Sequence, residues 1–101
     1  MPHIVYWRRE LPPLSEQIAG EHEVTAESEH VHASWSERDR LWGRCHDSLI
    51  GHAEARIAAE VTRLGGSCAH VFDELIAATR DERTGDFWLR GTFRFVLYTH
   101  P

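Results

Sequence analysis

Lysine is absent from this chain: all eleven basic residues are arginines, set among sixteen acids for a formal charge of −5 at pH 7. Nucleic-acid binding relies on clustered cationic side chains, and arginines diluted this way exclude nucleic acid as an expected partner. No apolar run approaches the roughly eighteen residues that a membrane span requires. The opening Met1 to Glu10 lacks the hydrophobic stretch of a signal peptide, so no membrane partner and a cytoplasmic location are expected. Cysteine is scarce, at two residues. If a long helix joins them, Cys45 and Cys68 are separated by ~28 Å or more of helix rise, far beyond the ~7 Å that a disulfide tolerates between Cα atoms. The chain has no Cys-x-x-Cys, no His-x-x-x-His and no Gly-rich phosphate loop. Gly65-Gly66 closes a helix instead of opening one.

What is present is ordinary globular material, 42% apolar and 27% charged over 101 residues. That length suits a single domain, residues 1–101. Asp86 to His100 is its clearest element. Phe87, Leu89, Phe93, Phe95 and Leu97 alternate with Trp88, Arg90, Thr92, Arg94, Val96 and Tyr98, the period-two pattern of a strand with one apolar face. Gly20 to Ala33 alternates as well, with Glu21, Glu23, Thr25, Glu27 and Glu29 on a solvated side. His22, Val24, Ala26, Ser28, His30 and His32 fall on the inward side.

Ser36 with Asp39 reads as a helix start. From there Leu41, Trp42, Cys45, Leu49, Ala53, Ile57, Val61 and Leu64 recur at three- and four-residue steps, one amphipathic stripe ended by Gly65-Gly66. Gly43 and Gly51 lie inside that helix, which implies either a bend near Gly51 or a neighbouring backbone close by; the bend is favoured. Cys68 to Arg80 suits a helix by propensity. The compact turn from Asp81 to Asp86, however, feeds a strong strand and needs a first arm, so these residues are read as a strand with a bulge at Asp73-Glu74. Residues 1–19 read as an extended arm because Pro12-Pro13 forbid helix, and whether Ile4 to Trp7 pairs as a further strand stays open.

The sequence therefore predicts an α+β fold, β-α-β-β, with a mostly antiparallel three-stranded sheet in the order 1-3-2 and one long helix over one face. The uncovered face would carry Trp88, Val96 and Tyr98, a ligand or interface surface. Large exposed apolar patches are commonly closed by association, so a homo-oligomer through that face or a sheet edge is expected.

Histidine, at eight residues, is the compositional excess. His30 and His32, two apart on a strand, have a spacing that can chelate Zn or Cu, and Cys68 or His70 could complete such a metal site. A second reading is pH sensing. Protonating all eight would move the formal charge from −5 to +3, at unperturbed values near ~6.5. The commoner use of such histidines is on solvated surface. A nucleophile reading rests on Cys68 with His70 and Asp73 or Glu74 nearby; space filling beneath the helix end is the commoner role of such a cysteine. No residue is assigned as catalytic.

The run Arg63-Leu64-Gly65-Gly66 through Ala69-His70-Val71, a helix ending in Leu-Gly-Gly followed by an apolar strand, resembles the equivalent turn of small bacterial β-α-β-β proteins of the YbjQ-like and dodecin-like kind. It covers about ten residues. The resemblance implies the topology above and assembly into rings or shells, and it carries no binding residue across. Arg8 to Leu14 and Leu41 to Cys45 fit neither pattern and look more like other small bacterial proteins. The expectation is a self-associating, non-enzymatic α+β domain. The alternative is a metal- or small-ligand-binding module built on the strand histidines.

Overall fold

A computed structural model describes residues 4–7, 16–32 and 38–99, with backbone alone for 16–19 and 38–39. The long hairpin organises it. β4 (Cys68–Arg80) and β5 (Asp86–Thr99) pair antiparallel along almost their whole length, from Cys68 opposite Tyr98 to Arg80 opposite Phe87. The turn between them is closed by Gly85 N–H to Asp81 O at 2.8 Å, with Gly85 at φ 78°. That left-handed position is open to glycine at no steric cost.

Around the hairpin stand β1 (Val5–Trp7), β2 (Glu16–Glu27), β3 (Val31–His32) and the helix α1 (Arg38–Arg63). The sheet runs β1-β4-β5-β2, with β3 continuing beside β5. The class is thus α+β with one helix and a mixed five-stranded sheet. The three expected strands form its centre, β2-β5-β4, and the details differ: Val5–Trp7 adds a parallel pairing along β4, from Val5 opposite Ala69 to Trp7 opposite Val71. β1 and the first residues of β2 fall within the expected extended arm over 1–19. Pro12-Pro13 and Ser36 lie outside the described residues.

The core lies between α1 and one face of the sheet. Leu41, Cys45, Leu49, Ala53, Ile57 and Val61 of the helix meet Leu89, Phe93, Phe95 and Leu97 of β5, with Ala69 and Val71 of β4, all buried. Both free cysteines are buried. Trp42 departs from its expected place in the stripe. It is 42% exposed and stacks on His46 at 5.4 Å, because one step past Leu41 turns a side chain ~100° away from the buried face. A Cβ at Gly43 or Gly51 would meet nothing within 4 Å. Among the described residues no neighbouring backbone approaches there, and the 26-residue helix runs unbroken. At its end Arg63 donates to Glu60 Oε2 at 2.5 Å, which holds the Glu60 carboxyl below its ordinary value.

Two irregularities re-aim β2. Its register against β5 slips between Ile18 and His22, where Gly20 takes φ 100°. At the other end Ser28 bonds opposite Leu89 and Val31 pairs with Phe87, so three steps on one strand match two on the other. The slip flips the alternation. Val31 turns inward and is buried, whereas His30 and His32, expected inward, lie on the far side with Trp88 and Asp86.

Candidate functional site

The face of the sheet away from α1 carries the residues that the sequence singled out. Trp88 is half-buried beneath its own chain: the His30 ring stacks on it at 4.0 Å and 11°, with His30 Nε2 3.8 Å from Glu27 Oε2. Arg94 sits between Glu21, 2.5 Å from its Oε2, and the Phe72 ring, 5.4 Å from its centroid. Val96 lies opposite His70, and Tyr98 opposite Cys68 and beside β2. Trp88, Val96 and Tyr98 are each half-buried within the single chain. The largest apolar exposure on this face belongs instead to Leu75, at 74%.

The proposed metal ligands fall into two groups. His32 Nδ1 is 3.8 Å from Asp86 Oδ1, at the same end of β5 as His30. Cys68 and His70 lie opposite Tyr98 and Val96; at about 3.4 Å per residue, that is ~34 Å along the strand from Trp88. Among the described residues no group of three or more His, Cys, Asp or Glu side chains gathers to hold an ion. Burial pushes the Cys68 thiol above its ordinary value of 9.0. That is the opposite of what a nucleophilic cysteine needs.

The two edges of the sheet differ in kind. Along β2 the helix supplies a line of side-chain bonds to the outward backbone. The Ser48 hydroxyl accepts from Glu29 N–H at 2.9 Å, His52 Nδ1 lies 2.7 Å from Glu27 O, and Arg56 Nη1 donates to Thr25 O at 2.6 Å. A carbonyl only accepts, so His52 must carry its proton on Nδ1. Cys45 adds a 3.7 Å contact to Glu29 O, and Arg44 pairs with the Glu29 carboxylate. The spacing makes this possible. Four residues of helix rise ~6 Å and two residues of strand ~6.7 Å, so successive bonds stay in step. A cleft of about 400 Å³ opens there, lined by Thr25, Ala26, Glu27, His52, Arg56 and Arg90. Its charge is mixed, since the Glu27 carboxylate stands among the arginines.

Along β4 the described pairing is shorter. Among the described residues β1 pairs with Ala69 to Val71, and no strand pairs with the outer side from Asp73 to Arg80. The backbone direction follows from the hairpin end, where Asp81 N–H donates to Asp86 O at 2.9 Å. Alternate residues then face β5, so Thr79, Ala77 and Leu75 bond inward, and Glu74, Ile76, Ala78 and Arg80 present their N–H and C=O outward. Between Glu74 and Arg80 the strand reads Leu75-Ile76-Ala77-Ala78-Thr79, with neither charge nor proline. The irregularity that flanks it lies at Val71 to Asp73, one position before the bulge expected from the sequence.

The asymmetry of the edges went unpredicted. The spacing Ser48, His52, Arg56 is a polar helical stripe that could have pointed to it. Comparison of the chain with protein-family models, with curated proteins and with solved structures finds no match. No helix among the described residues is long and apolar enough to cross a membrane.

Proposed function

We propose that this chain is a self-associating, non-enzymatic α+β domain whose assembling surface is the outer edge of β4. The observation that carries the reading is the contrast between edges: β2 is covered by Ser48, His52 and Arg56 from its own helix, and β4 beyond Val71 meets no described strand. The stretch from Leu75 to Thr79 has neither charge nor proline, and a strand edge of that kind is a template for a further strand that proteins commonly block unless they use it. Leu75, 74% exposed beside that edge, adds apolar area whose full burial stabilises by about 1.5–3 kcal/mol per side chain.

The test is solution mass by light scattering after gel filtration, with Ala78→Pro as the variant. Proline removes one outward N–H, and edge strands tolerate it where the N–H faces solvent. The wild-type chain should run at twice 11.6 kDa or a higher multiple. The variant should keep its circular dichroism and fall to the single-chain mass. A wild-type chain of single mass at every concentration up to its solubility limit ends the proposal.

A further inference from the structure

We infer that the cleft along the β2 edge binds a small zwitterion of the amino-acid kind, its carboxylate taken by Arg90 and Arg56 and its ammonium by Glu27. This site lies at the other edge of the sheet from β4 and stands apart from the self-association reading. What carries it is a pair of opposite charges that the fold sets side by side and does not join. Glu27 and Arg90 are directly opposite in the register of β2 with β5, where Cβ atoms lie ~4.5–5.5 Å apart and opposite charges favour contact. The Glu27 carboxylate leans instead toward His30 Nε2, at 3.8 Å, which is too long for a hydrogen bond. Among the described residues the Arg90 guanidinium enters no hydrogen bond or ion pair.

The rest of the lining complements that pair. Arg56 Nη1 donates to Thr25 O at 2.6 Å, which spends one donor of a planar fork suited to gripping a carboxylate. His52 Nδ1 is committed to Glu27 O at 2.7 Å, so in the neutral ring Nε2 is an acceptor. The cleft therefore sets guanidinium donors from two elements beside the acceptors of Glu27 and His52, with Thr25 and Ala26 completing the described lining.

That mixture selects a class of ligand. A simple anion meets the Glu27 carboxylate as well as the arginines, and a simple cation meets the reverse; unfavourable contacts of this kind are how a site rejects the wrong partner. A molecule with a carboxylate and an ammonium on neighbouring atoms satisfies both halves and bridges the charges that the strands leave apart. The volume of about 400 Å³ falls within the ~300–1,000 Å³ of small-molecule sites.

The test is a heteronuclear NMR titration of the full chain with the common L-amino acids, one at a time at millimolar concentration. At least one should shift the Arg56 and Arg90 guanidinium N–H signals and the Thr25 to Glu27 amides saturably, with acetate and inorganic phosphate binding more weakly. Arg90→Gln removes no hydrogen bond or ion pair among the described residues. It should keep its circular dichroism and bind about tenfold more weakly or worse, the loss of one charge-assisted hydrogen bond. Arg83→Gln, the same change in net charge at the hairpin turn, should bind as the wild type does. Glu27→Gln should erase the preference for the amino acid over acetate. Absence of a saturable shift with any amino acid overturns the inference, as does acetate or phosphate binding the wild-type chain as tightly as the best amino acid. Equal weakening by Arg90→Gln and Arg83→Gln also overturns it, because the effect would then be one of overall charge.

Discussion

At the scale of single residues, Ser28 shows how a polar side chain becomes structural. It is 4% exposed, and its hydroxyl accepts from Leu89 N–H at 2.8 Å and donates to Glu29 O at 2.9 Å. It thereby holds the place where β2 gives way to β3. In Ser28→Ala the buried Leu89 N–H loses its acceptor, and an unsatisfied buried donor costs about 1–3 kcal/mol. Urea unfolding should show that loss at unchanged slope, and a midpoint equal to wild type would mean that the junction is held by something else. Residue by residue, the sequence was readable where one rule governed: Leu89, Phe93, Phe95 and Leu97 are buried as their alternation requires. It misled where a one-residue insertion intervened. His30 and His32 keep their common side, yet the extra step after Ser28 sends both to the outer face, where the first lies flat on Trp88. No spacing rule announces an insertion of that kind, because Ser, Glu and His carry no turn signature strong enough to mark it.

At the scale of elements, the helix does two tasks with two stripes. Its apolar stripe, Cys45, Leu49, Ala53 and Ile57, is fully buried against the sheet and was legible from the three- and four-residue recurrence. Its polar stripe, Ser48, His52 and Arg56, was not read as such, since exposed polar residues on a helix ordinarily face water. The matching of ~6 Å of helix rise to ~6.7 Å of strand is a property of the pair of elements, visible only once both are placed. A typical hydrogen bond contributes about 0.5–1.5 kcal/mol net, and His52 and Arg56 are exposed, which favours the lower end. The double variant His52→Ala, Arg56→Ala should lose about 1–2 kcal/mol in chemical unfolding. It should also unmask the Thr25 and Glu27 carbonyls, making the β2 edge a second site of association. Unaltered stability and mass in that variant would show the helix to be a bystander at this edge.

At the scale of the whole molecule, the long helix and long hairpin give extents of 51 × 21 × 20 Å and a radius of gyration of 15.7 Å, against ~13 Å for a compact chain of this length. An elongated shape leaves more strand edge per residue than a compact one. The hairpin and the expected strand limits were read correctly at Cys68–Arg80, because a compact turn followed by a strong strand demands a first arm. The surface expected to drive association, Trp88, Val96 and Tyr98, is half-buried within the single chain, and among the described residues no strand pairs with the outer side of β4 beyond Val71. Backbone groups along a strand edge have no signature in side-chain hydropathy, and the sequence pointed to aromatic rings instead. Residue-resolved amide hydrogen exchange measured over a dilution series addresses that backbone directly. The account predicts that the amides of Ile76 and Ala78 are protected at high concentration to a degree approaching those of Leu75 and Ala77, and that, unlike those two, they lose protection on dilution. Fast exchange at Ile76 and Ala78 at every concentration, beside slow exchange at Leu75 and Ala77, would contradict it.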